Sequence, residues 1–256
     1  MRRAEREALA LGLLHGPVEL VPVSSSGHVA GLPWLLRWEI AGWDGARRKE
    51  LEVALHAGSA AALLIAARPR HVRPLLLATA FLPPALLGLT LERAIEERLG
   101  TPVTLAAGLL AGGAGLVLAD RVTGERVAAD ARLSDGVALG LAQAAALVPG
   151  VSRNGATLAA ARARGFSRPE ASRLSWDVAL PVLLGATALK GVRVLRGGGT
   201  AARVRPLALG GGAAFGSTLA TARAIGVARR RPLWRWAAWR GALAAAILAV
   251  RHNRGR

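Results

Sequence analysis

The chain has no cysteine among its 256 residues. Disulfide bracing is therefore excluded, and thiol usage says nothing of the redox compartment. Acid is scarce: 16 Asp and Glu stand against 34 Lys and Arg, a formal net charge of +18. Nearly all of those cations are arginine. Such a balance often suits nucleic acid, but a continuous basic face is missing. The arginines instead fall at the ends of apolar blocks: Arg68, Arg70 and Arg73; Arg121 and Arg126; Arg193 and Arg196; Arg229, Arg230 and Arg231. That placement fits snorkelling beside anionic head groups and argues against nucleic acid as a partner. Basic loops occur on both sides of the expected spans, so the positive-inside rule gives no orientation. A secretory signal is not expected: the basic start MRRAER precedes no long uninterrupted apolar core with a small-residue cleavage site. The N-terminus is expected to stay in the mature protein, with a first helix beginning near Arg6.

What the chain does have is apolar sequence. Hydrophobic residues make up 52% of it, and its mean hydropathy is +0.35. A helix needs about 20 mostly apolar residues to cross a bilayer. Seven stretches approach that length: residues 51–67, 72–91, 103–119, 134–150, 174–189, 206–222 and 233–250. The expectation is an all-α polytopic membrane protein, one integral membrane domain over residues 1–256. Glycines at 108, 112, 113 and 115 provide the small-residue spacing that lets helices approach closely in lipid. Trp34, Trp38 and Trp43, and Trp234, Trp236 and Trp239, are placed as interfacial belts.

The sequence also repeats. Residues 12–30 (GLLHGPVELVPVSSSGHVA) have a counterpart in residues 140–159 (GLAQAAALVPGVSRNGATLA). Ser24-Ser25-Ser26-Gly27 aligns with Ser152-Arg153-Asn154-Gly155. Two related halves with broken helices at matching positions are a transporter-like architecture. Irregular backbone at membrane depth must face protein or a wet cavity. The expected fold is thus two inverted-topology repeats, about 6–119 and 134–250, each with a re-entrant helical hairpin meeting at a polar centre.

That centre has usable chemistry. The first hairpin offers Glu19, Ser24, Ser25, Ser26 and His28, and the second offers Ser152, Arg153, Asn154 and Thr157. Glu52 and His56 share a helical face in a neighbouring span. Ionisable groups within spans are costly and mark function by default. Arginine among hydroxyls and glycine-exposed amides makes a phosphate cradle. Histidine beside serine and glutamate serves as nucleophile or general acid/base, and carboxylates hold Mg²⁺. Plainer readings exist for each: serines that cap a broken helix, a structural His28, a snorkelling Arg153, a protonated Glu19, and Glu52 and His56 as a helix pair.

The runs ELVPVSSSGH (19–28) and PGVSRNGAT (149–157) resemble the motifs of the BacA-type undecaprenyl-pyrophosphate phosphatases. EVALHAGSAAALL (52–64) is similar to that family's Glu/Gln span, PPALLG (83–88) to its proline-bearing span, and residues 171–189 to the span after its second motif. The resemblance covers residues 8 to 250. It implies a bacterial plasma-membrane hydrolase with its site on the extracytoplasmic side. Such an enzyme converts undecaprenyl pyrophosphate to the monophosphate carrier for cell-wall synthesis and confers bacitracin resistance when overproduced. It implies a divalent cation, Mg²⁺ or Ca²⁺, a polyprenyl pyrophosphate substrate and the lipid bilayer as partners; a homodimer is left open. It carries Ser25, His28 and Glu19 over as catalytic, and Ser152, Arg153 and Thr157 as phosphate-binding, with Ser24, Ser26 and Asn154 beside them.

Departures from the pattern matter. The family usually has glutamate where this chain has His15, one helical turn before Glu19. An imidazole there removes a negative charge and a hard oxygen ligand, so Mg²⁺ binding is expected to weaken. Glu19 then remains as the metal ligand, with His15 in the place of a second. His56 stands where the family often has glutamine, and Asn154 where it has serine. Asp177 sits in a span that is usually apolar, with an arginine as its expected contact. The loop after Ala67 looks shorter than the pattern. A non-hydrolytic polyprenyl-phosphate transporter and a catalytically silent paralogue therefore stay open beside the phosphatase.

Overall fold

The computed structural model describes residues 1–66, 73–196, 201–226 and 230–254, without the side chains of residues 92, 96, 190, 193–196 and 201–203. Arg68, Arg70, Arg229, the side chains of Arg193 and Arg196, and the loop after Ala67 lie outside that description. Among the described residues the chain is helical, with one isolated β-bridge between Arg126 and Phe166. The ten α-helices are α1 (Arg3–Leu20), α2 (Ser25–Leu35), α3 (Gly45–Ala66), α4 (Pro74–Leu99), α5 (Pro102–Asp120), α6 (Leu133–Ala145), α7 (Arg153–Ala163), α8 (Arg168–Arg196), α9 (Ala201–Ala224) and α10 (Trp234–Arg254). The first helix begins at Arg3, a few residues before the expected Arg6.

Two of the seven apolar stretches form helices that are long and apolar enough to cross a membrane by length and composition, Pro74–Leu91 and Pro102–Asp120. Only 17% of the α4 stretch is buried within the protein. Leu75, Leu82, Leu86 and Leu89 point outward from it. A core helix of a water-soluble protein would hide those leucines, whereas a bilayer covers them. The other stretches are helical too, but basic and polar residues interrupt them. The stretch 134–150 does not continue as one helix: α6 stops at Ala145, and α7 starts only at Arg153.

The helices group into two compact units. The first comprises Met1–Leu20, His28–Pro69 and Leu183–Ile225, and the second Val21–Gly27, Arg70–Val182 and Gly226–Arg256. In the first unit α1 and α3 both pack on α9. The approach is backbone to backbone, because a Cβ on Gly12 would lie 2.3 Å from the Gly210 carbonyl oxygen, and one on Gly58 would lie 2.0 Å from that of Gly211. Ala8, Leu11, Ile40, Trp43, Leu51, Leu55 and Ala214 fill the core beneath. In the second unit α4 packs on α6, α5 on α7 and α10, and α6 on α7. Its core runs through Leu116, Leu139, Leu158, Phe166, Leu174 and Val178.

Several expectations change on inspection. Trp43 is buried beneath Arg47, whose guanidinium carbon lies 3.8 Å from the ring centroid, so it is no interfacial residue. Trp234 and Trp239 are exposed, as a belt requires. Arg73 and Arg126 face protein acceptors instead of head groups. Arg73 donates to the carbonyls of Ala131 and Ala129. Arg126 pairs with Asp135 at 2.7 Å, and that bond lifts the guanidinium above its ordinary pKa. With acids so scarce, Asp120 and Asp135 each collect two arginines, Arg162 and Arg168 for one and Arg126 and Arg164 for the other. Asp177 meets the expected arginine, Arg173, at 4.0 Å one turn away.

Candidate functional site

Two breaks in the helical path position the polar residues. Residues before proline are disfavoured in helix, and α1 accordingly ends at Leu20, two residues before Pro22. The chain then turns, and Ser24 takes the left-handed region at φ 77°. Its Oγ accepts from the Gly27 amide at 3.2 Å and thereby caps α2. The second break does the same around Pro149: Gly150 has φ 90°, Ser152 has φ 69°, and the Ser152 Oγ accepts from the Gly155 amide at 3.1 Å. Non-glycine residues with positive φ are uncommon and strained. Among the described residues there are three, and two of them occupy these aligned positions.

A residue that the motif reading missed ties both breaks together. Arg240 of α10 is fully buried, and its guanidinium donates to the carbonyls of Gly150 and Val151 at 2.8 Å each. It also reaches the carbonyls of Pro22 at 3.4 Å, Leu109 at 3.0 Å and Gly108 at 3.3 Å. A broken helix leaves orphan carbonyls, and in a dry interior each needs a donor. The planar five-donor fork of arginine supplies several at once. This explains two glycines of α5 that read as helix-packing residues. A Cβ on Gly108 would lie 2.1 Å from the Pro149 oxygen, and one on Gly112 would lie 2.1 Å from the Arg240 guanidinium.

Around the second break, Arg153 opens α7 with its guanidinium carbon 5.8 Å from the centroid of the Trp176 ring. Thr157 is fully buried and donates to the Arg153 carbonyl at 2.9 Å. Ser175 of α8 bonds both the Thr157 hydroxyl and, at 3.0 Å, Oδ1 of Asn154. Thr157 and Asn154 are thus engaged with Ser175, fixing the turn that carries Arg153. Ser24 and Ser26 pair at 3.2 Å, while Ser25 is half-buried at the first turn of α2. The amide-bearing N-terminus of each helix is a ready anion site when flanked by a cation and hydroxyls.

The acidic and imidazole residues cluster in the first unit. His15, Glu19 and His56 each offer a ligand atom, all within 4.8 Å of one another. The His15 and His56 rings meet edge to face with centroids 4.7 Å apart. His15 Nδ1 bonds the Ser59 hydroxyl at 2.8 Å, which in turn bonds the Thr218 hydroxyl at 2.8 Å. Among the described residues, His15 Nε2 is buried without a hydrogen-bond partner. His56 Nδ1 donates to the Glu52 carbonyl at 2.8 Å, and its Nε2 lies 3.8 Å from Glu19 Oε2. The Glu52 carboxylate lies 3.1 Å from Lys49. His28 is buried in the same unit, on the α2 face it shares with Ser25. The donor set, one carboxylate and two imidazoles, matches a hard oxygen-seeking ion poorly. Sequence spacing gave no sign of Ser59, Thr218 or Ser175. Only Arg240 carried a signal, as a cation well inside an apolar helix.

Comparison with known proteins finds close relatives over most of the chain. The undecaprenyl-diphosphatase of Trichlorobacter lovleyi is 33% identical, with 95% of this chain and 96% of that protein covered. That of Desulforudis audaxviator is 36% identical over 70% of this chain and 73% of its own length. That of Geobacter sulfurreducens is 35% identical over 79% and 81%. The family model of the bacitracin resistance protein BacA matches residues 8–246, a span that takes in both breaks, the histidine cluster and Arg240. On the strength of that match, and of relatives about a third identical over most of the chain, this chain belongs to the BacA family.

Proposed function

We propose that this protein is a membrane phosphatase that hydrolyses undecaprenyl pyrophosphate to undecaprenyl phosphate and inorganic phosphate. The observation that carries the reading is the pair of capped breaks gathered on Arg240, which brings Ser24–Ser26 and the Arg153 turn into one unit. Two helix N-termini and one arginine are what a diphosphate with several negative charges calls for. The names borne by relatives that cover most of the chain favour hydrolysis over the transport and silent-paralogue readings.

In this reading the prenyl tail stays in lipid. Arg153, Ser152 and the first amides of α7 hold the terminal phosphate and spread the charge that builds in the transition state. Ser24, Ser25 and Ser26 supply further hydroxyls, while Thr157 and Asn154 keep the Arg153 turn in place. His28 either bonds to the terminal phosphorus or takes the proton of an attacking water, with Ser25 beside it on the helix. The anhydride P–O bond breaks, undecaprenyl phosphate leaves, and water supplies the oxygen of the released phosphate. A divalent cation held at Glu19, when bound, would offset the charge of the diphosphate. The architecture proposed is two inverted repeats in one membrane domain, with the breaks as re-entrant turns. The crossed packing of α1 on α9 and of α6 on α4, first helix on fourth in each case, supports it. The family resemblance supports a site in a bacterial plasma membrane, working at the extracytoplasmic face.

The test is phosphate release from undecaprenyl pyrophosphate by the purified chain in detergent, with divalent metal and with chelator. Metal-dependent release is expected, and Arg153→Ala should lower it by about 100-fold or more. No release under any metal, with a folded protein, would overturn the reading.

A further inference from the structure

We propose that His15, Glu19 and His56 form a binding site for a borderline first-row dication of the Zn²⁺ class, replacing the Mg²⁺ or Ca²⁺ of the family pattern. The inference deepens the phosphatase reading and depends on it only for the role of the ion. It begins from two departures that look unrelated in sequence. At position 15 a carboxylate has become imidazole, and at position 56 an amide has become imidazole. Each alone reads as a lost oxygen ligand. The fold brings both rings against each other and against Glu19. What results is a different donor set, with two nitrogens and one carboxylate.

The hydrogen bonds prepare both rings for this role. His56 donates Nδ1–H to a backbone carbonyl, which leaves its Nε2 as a lone pair 3.8 Å from the Glu19 carboxylate. His15 engages Nδ1 with Ser59, and Thr218 backs that hydroxyl in turn. Metal-bound histidines characteristically anchor the second ring nitrogen in this way. His15 is wholly buried, yet among the described residues its Nε2 has no hydrogen-bond partner. A buried polar atom left in that state calls for an explanation, and an ion provides one. Neighbouring ligands on a tetrahedral ion sit about 3.4 Å apart when bonds are near 2.05 Å. The present spread, within 4.8 Å, needs only a small inward adjustment. Two imidazoles and a carboxylate suit zinc and its neighbours, not magnesium or calcium. Three protein ligands also leave a fourth position for water or a phosphate oxygen.

Cobalt reports this directly. The full chain, stripped with chelator in detergent, would be titrated with Co²⁺ alone while its visible d–d absorption is followed. A saturating one-to-one band is expected that Zn²⁺ displaces and that excess Mg²⁺ or Ca²⁺ leaves in place. Binding should weaken about tenfold or more in His56→Gln and in Glu19→Gln. His15→Glu/His56→Gln should lose the nitrogen-type band and gain thermal protection from Mg²⁺ or Ca²⁺. His252→Gln, a change at an exposed histidine outside the cluster, should leave the band unchanged. The inference is overturned if no band forms, if Mg²⁺ displaces cobalt at equal concentration, or if the band survives both cluster variants. Phosphate release measured on the same samples separates the two claims. A cobalt band without hydrolysis retires the phosphatase reading and keeps the site. Mg²⁺-driven hydrolysis without a band does the reverse.

Discussion

The two breaks are nearly the same piece of backbone put to different use. At each, a proline follows Leu-Val, a serine adopts positive φ, and its hydroxyl caps a new helix by accepting from a glycine amide. Beyond that they diverge. The first opens into hydroxyls and then His28, while the second opens at once into Arg153. Their supports diverge as well. Thr157, Asn154 and Ser175 brace the second turn through side chains, whereas the first relies on the Ser24–Ser26 pair. The two breaks therefore share a shape, an anion-ready helix start, and differ in the residues just past it.

Arg240 is where the comparison is easiest to break, because both turns hang on it. Arg240→Met would leave the carbonyls at Gly150, Val151, Leu109 and Pro22 without their donor. The expected cost is about 3–5 kcal/mol, read as a large fall in the thermal unfolding midpoint together with loss of activity. Arg240→Lys should recover only part, since a point charge cannot serve several carbonyls as a fork does. Arg153→Ala should keep the unfolding midpoint near that of the parent while activity falls, which would distinguish a binding arginine from a scaffolding one. Equal thermal losses at the two positions would contradict the assignment.

Ser175→Ala addresses the second turn alone. It removes the bonds to Thr157 and Asn154 and should cost about 1–2 kcal/mol. The expected kinetic effect is a severalfold rise in KM, as the Arg153 turn loosens. A change in kcat with KM intact would point to Thr157 acting on the substrate itself.

Much of this was legible in the sequence, and the reasons for the rest are physical. Apolar blocks bounded by arginine gave the helices, because burial and backbone satisfaction in lipid leave few other solutions. The motif positions gave both breaks, since there proline is soon followed by glycine or serine in turn and cap positions, whereas Pro17, Pro83 and Pro84 lack that context and stay within helices. The partners of the motif residues were hidden. Ser59 and Thr218 come from α3 and α9, and a hydroxyl in a helix has no pattern that announces a histidine partner. Arg73 read as snorkelling because its carbonyl acceptors lie far along the chain, and Arg126 because loop spacing does not show that the chain brings Asp135 to it. His15 and His56 were each visible as departures, but only packing brings the two rings together.

The smallest expected effect is the sharpest probe of how alike the breaks are. Glycine tolerates positive φ without the penalty that a side chain bears there, a penalty of about 1–2 kcal/mol. Losing a serine cap to glycine costs only a few tenths of a kcal/mol. Ser152→Gly should therefore raise stability slightly, by roughly 0.5–1 kcal/mol. Ser24 has the same φ penalty, but its hydroxyl also pairs with Ser26, so Ser24→Gly gives up an additional bond and should gain less or nothing. Activity should separate the two in the same sense. With Ser24 gone, Ser26 loses its positioning partner, whereas the Arg153 turn keeps its brace from Ser175 when Ser152 is replaced. Unfolding midpoints and kcat/KM for the two single variants, measured side by side, test this. Identical gains in both would mean that the serines are interchangeable caps and that the hydroxyl pair at the first break contributes nothing. A steep activity loss in Ser152→Gly despite higher stability would mean that its hydroxyl meets the phosphate directly.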